Sequence, residues 1–227
     1  MAVRLNWEPG VNYIFDNPYG NEVNIFLFAN LAADPNASAD DLLRQYVAKV
    51  YPPSAREAAF RLYKRSVDLQ TLWLTWRGKN TNDHSRVYIG GINRVRRQIS
   101  DVIPQGYDAA RAALDERRSK IDKAYEEALS LIAALGPDVA AEWKHDLERS
   151  ARAQWFMARA NSDCIQLFAA YREVEAKRPL PSLNALADDI AKRSRLWRMT
   201  DLEMFNTMHG EQTQAMLEEV RKQSSAQ

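Results

Sequence analysis

The groups able to do acid–base or metal chemistry in this sequence are few and scattered. Glu142-Trp143-Lys144-His145 has the Glu-x-x-His spacing that sets a carboxylate and an imidazole one helical turn apart, as in di-iron bundle proteins. Such a centre needs a second pair and two further carboxylates from other helices, and no second Glu-x-x-His occurs. The pair therefore reads as part of a solvated helix face. His84 and His209 are distant in sequence, no histidine or cysteine spacing fits zinc, and no metal or other cofactor is expected. Arg86, Arg94, Arg96 and Arg97 are too few, in a nearly neutral chain, to mark a nucleic-acid surface. Gly90-Gly91 lacks the outer glycine and the lysine of a phosphate loop. Glycoside hydrolysis needs two carboxyl groups about 5 to 10 Å apart across a cleft. Glu8, Asp16 and Glu22 are the acids near the one strand signal, and Glu22 is more simply a first-turn helix residue. No catalytic residue is assigned.

The stretch that could position a site is Val11 to Tyr51. Val11, Tyr13 and Phe15 alternate with Asn12, Ile14 and Asp16 in a β-rich hexapeptide, closed by the turn residues Asn17-Pro18-Tyr19-Gly20. The period then changes. Val23, Phe26, Leu27, Asn30 and Leu31 form an amphipathic stripe, with Asn21 placed to cap the helix and Glu22 in its first turn. The unit is strand, loop, helix. Trp7 and Tyr19 lie outside the helical stripes that account for most of the aromatic residues.

Residues Asn17 to Tyr46, N-P-Y-G-N-E-V-N-I-F-L-F-A-N-L-A-A-D-P-N-A-S-A-D-D-L-L-R-Q-Y, resemble the end of the catalytic barrel in large bacterial glycoside-hydrolase-like proteins of the α-glucuronidase type. In that family a last barrel strand leads through a polar loop into a helix ending in a segment like L-A-W-D-P, and a helical C-terminal domain follows. The matching residues here are Leu31-Ala32-Ala33-Asp34-Pro35, with Ala33 where the family has tryptophan. The resemblance implies a non-catalytic C-terminal helical domain of a carbohydrate-active protein, since the family's acid pair belongs to earlier strands. It also implies that Asp16, Asn17, Tyr19 and Asn21 rim a sugar site as substrate-binding residues. The expected partners are a carbohydrate or an upstream barrel domain. The alternative is a self-contained helical protein-interaction module.

Downstream the chain reads as helix. Asp34-Pro35-Asn36-Ala37-Ser38 is a break, and Ser38 with Asp41 caps a helix over Ala39 to Val50 that Tyr51-Pro52-Pro53 ends. Ser54 and Glu57 have capping-box spacing for a long helix that buries Ala58, Leu62, Leu69, Trp73 and Trp76 and stops at Gly78. Lys79 to Ser85 reads as a polar loop, and a weaker helical pattern runs through Ile89, Ile92, Val95 and Ile99 to Pro104. Tyr107 to Leu135 carries a seven-residue repeat interrupted by Arg117. Asp138 to Arg178 has no proline or glycine and places Trp143, Leu147, Ala151, Trp155, Ala158, Ile165 and Phe168 on its buried stripe. A last helix is expected after Ser182, with Gly210 kinking it and the polar tail from Lys222 fraying. The fold class expected is mainly α: an antiparallel helical bundle over residues 36–227, preceded by a short strand-containing unit, residues 1–35, resembling the last βα unit of a TIM barrel.

Composition agrees with a folded chain. Of 227 residues 46% are hydrophobic, enough to bury a sizeable core, while 31 basic and 30 acidic residues nearly cancel and leave no global field for nucleic acid or anionic membrane. The longest apolar run, Ile25 to Ala33, is broken by Asn30 and is far short of the roughly 20 residues a membrane helix needs. The single cysteine, Cys164, lies among Ile165, Leu167 and Phe168 and reads as a buried structural thiol. The N-terminus has neither the basic nor the apolar region of a secretory signal, so the chain is expected in the cytoplasm by default, or exported if an upstream part carries a signal.

Overall fold

The computed structural model describes residues 21–77, 79–80, 91–178, 185–186, 188–189, 192 and 214–222. It is mainly helical: α1 (Asn21–Ala33), α2 (Ala39–Val50), a 3-10 turn (Pro53–Ala55), α3 (Arg56–Leu74), strands β1 (Thr75–Trp76) and β2 (Lys79–Asn80), then α4 (Gly91–Ile99), α5 (Tyr107–Ala133) and α6 (Ala141–Glu175). Residues 214–222 are also helical and bury Met216, Leu217 and Val220. Among the described residues, no helix is long and apolar enough to cross a membrane. The expected strand Val11 to Asp16 lies outside the described residues, as do Gly210 and the tail beyond Lys222.

The chain divides into two compact units, Met1–Asp68 with Tyr125–Ala153 and Leu69–Ala124 with Gln154–Gln227. In the first, α1 packs on α2. Asn21, where the sequence suggests a cap, is the first described residue and already has helical backbone. Ser38 does cap α2: its Oγ accepts from the Asp41 N–H at 3.3 Å, and the helix buries Leu42, Leu43, Tyr46 and Val47 on one face. The last turn of α2 is closed from outside by Arg56, which donates to the carbonyls of Ala48 and Tyr51.

The Ser54–Glu57 capping box does not form. Ser54 sits in the 3-10 turn and its hydroxyl donates to Asp138 Oδ2 at 2.7 Å, while Pro53 at the first position brings no N–H that needs a cap. Along α3, Leu62 and Leu69 are fully buried as the stripe requires, and Ala58 is half-buried.

In the second unit α3 stops at Leu74, earlier than the stripe suggests. The reason is a reversal: Arg77 adopts φ +48°, and β1 pairs antiparallel with β2 through Thr75↔Asn80 and Trp76↔Lys79. A two-residue hairpin connection needs such left-handed residues. Trp76 is thus buried from a strand, and Lys79 and Asn80 are strand residues where a loop was expected. Arg117, which breaks the apolar repeat of α5 in sequence, is itself buried: it donates to the Leu72 carbonyl and lies over the Trp76 ring. Around it Tyr107, Ala110, Leu114, Ile121 and Ala124 keep the expected buried stripe.

Contacts between α5 and α6 within this unit run in opposite order. Tyr107 meets Gln166, Arg118 meets Asp163 and Gln166, and Asp122 meets Trp155 and Arg159, so the two helices are antiparallel along that stretch. Residues 158–170 of α6 are buried on nearly every side. Trp155 is half-buried, with Nε1 donating to Asp122 Oδ1 at 2.8 Å, and its neighbour Phe156, 1% exposed, occupies the core position instead. An indole N–H needs a partner when covered, and a carboxylate at the core's edge supplies it. The helix ends in a Schellman pair: Arg178 N–H donates to the Glu173 carbonyl and Lys177 N–H to that of Val174, with Lys177 at φ +54°.

Candidate functional site

Of the four residues expected to rim a sugar site, Asp16, Asn17 and Tyr19 lie outside the described residues. Asn21 is the first residue of α1, and its side chain is not described. The adjacent Glu22 is exposed and turned to α2, where its Oε2 accepts from the Tyr46 hydroxyl at 3.5 Å. It acts here as the outer end of a buried aromatic cluster.

That cluster is assembled by four elements of the first unit. Tyr46 comes from the buried face of α2, Tyr51 from the extended residue that terminates α2, Tyr63 from the core stripe of α3, and Trp143 from the first turn of α6. The three tyrosines are buried, at 5%, 4% and 2% exposed, and Trp143 is half-buried. Trp143 Nε1 donates to Tyr51 Oη at 2.9 Å, the Tyr51 and Tyr63 hydroxyls lie 3.1 Å apart, and the Tyr63 ring meets that of Tyr46 edge to face. Ring centroids follow at 6.1 Å for Trp143–Tyr51, 6.2 Å for Tyr51–Tyr63 and 5.7 Å for Tyr63–Tyr46, all in edge-to-face geometry. Burial holds all three phenols protonated. It pushes Tyr46 up to about 12, raises Tyr51, and raises Tyr63 most, with the neighbouring Tyr51 and Tyr46 adding to the effect.

The second feature is the outer face of α1. Val23 is buried, and Phe26, Leu27 and Leu31 are half-buried on the α2 side, with Tyr46 and the Lys49 ammonium against the Phe26 ring. On the other side Ile25 and Phe28 are 48% and 44% exposed, and Ala29 and Ala32 continue the same ridge at helical spacing. Glu22 is the only charged residue in the 13 of this helix. A helix apolar on both sides belongs in contact with protein on both sides.

The second unit holds a buried polar seam. Asp163, with its side chain fully inaccessible, accepts from Arg118 at 2.9 Å, and Arg118 also donates to Gln166 at 2.5 Å and to Asp115 at 3.0 Å. Gln166 Nε2 donates to Tyr107 Oη at 2.9 Å. These bonds join α5 to α6 and fix the register of the two helices along that stretch.

The remaining sequence candidates have ordinary surroundings. Glu142 and His145 are exposed, and among the described residues no group of three His, Cys, Asp or Glu side chains could hold a metal ion. Arg96 pairs with Glu175 at 2.8 Å and lies over the Tyr171 ring, and Cys164 is fully buried. The tyrosine cluster was missed in sequence because nothing in the spacing of Tyr46, Tyr51 and Tyr63 links the elements that carry them. The comparisons with known proteins return no match: no family model, no curated protein and no solved structure.

Proposed function

We propose that this chain is a non-catalytic helical domain of a carbohydrate-active, glycoside-hydrolase-like protein. Residues 1–35 would hold the last strand–loop–helix unit of a barrel, and residues 36–227 an antiparallel helical bundle that buttresses it. The observation that carries the reading is the apolar outer ridge of α1, Ile25-Phe28-Ala29-Ala32. A helix in the outer ring of a barrel is covered by strands beneath and by neighbouring helices beside it, so it needs apolar residues on more than one face. The resemblance of Asn17 to Tyr46 to the end of such a barrel supports the same position, and the opposed order of α5 and α6 contacts supports the bundle.

A second reading, a self-contained interaction module, draws on the same ridge, with the partner a separate protein. Turnover separates both from an enzyme. Assayed against aryl glycosides and aryl glucuronides across the pH range, the chain is expected to be inactive, because in the resembled family the acid pair belongs to earlier strands than the one proposed here. Turnover abolished by Asp16→Asn or Glu22→Gln would overturn the non-catalytic reading.

A further inference from the structure

We draw no further inference here: the strongest candidate, the apolar outer ridge of α1 at Ile25, Phe28, Ala29 and Ala32, carries nothing beyond the proposed domain position, because nothing in the structure shows what covers it.

Discussion

Lys177 and Arg77 sit at positive φ, +54° and +48°, where a side chain clashes with its own backbone and glycine does not. At Lys177 the strained residue completes the Schellman pair at the end of α6, so Lys177→Gly should stabilise the chain by about 0.5 to 1 kcal/mol, read as a higher midpoint in urea with an unchanged slope. The buried phenols make a second prediction, about pH. Their folded pKa values are raised above the unfolded value near 10, so the stability they contribute is complete below that pH and is lost as pH rises from there. Unfolding free energy should stay flat through neutrality and then fall by about 1.4 kcal/mol per pH unit for each phenol that stays protonated in the folded state. Tyr46→Phe should shallow that fall. Cys164 and the Glu142–His145 face were legible in sequence because burial and exposure follow from their own helical surroundings. The tyrosine chain was not, since it depends on where three elements meet.

Elements with local punctuation were the readable ones. The break at Asp34-Pro35 and the Ser38 cap placed α2 at Ala39–Val50, as the structure has it, because both signals act within one turn. Errors came where a distant group changed the local preference. Ser54 left its capping role for Asp138, Trp76 left its helix for a hairpin, and Arg117, read as an interruption of α5, is held inside by the Leu72 carbonyl and the Trp76 ring. The α5–α6 seam shows the energetic scale of such contacts. Arg118→Met would leave the carboxylate of Asp163 buried without its guanidinium partner, and should cost about 3 to 5 kcal/mol in a reversible unfolding experiment. Adding Asp163→Leu should recover much of that loss, because an apolar pair of similar volume avoids the desolvation penalty. Phe156→Ala should cost about 3 to 5 kcal/mol, whereas Trp155, at the edge of the core, should cost less.

At the scale of the molecule, a predominantly helical chain was legible from periodicity alone. The four proposed rim residues were not open to the same check, because three of them precede the described residues and only the backbone of Asn21 is placed. What the structure adds is the ridge on α1. Ile25→Asp with Phe28→Asp should leave the unfolding free energy of the isolated chain within about 0.5 kcal/mol, as expected of exposed positions, while removing any association through that face. The domain reading itself is tested most directly by the mass of the native polypeptide that carries this sequence, taken from its source cells and identified by peptides from α1 to α6. The account predicts a polypeptide longer than 227 residues by at least a barrel of about 200 residues. A native polypeptide of 227 residues would contradict it and leave the separate interaction module in its place.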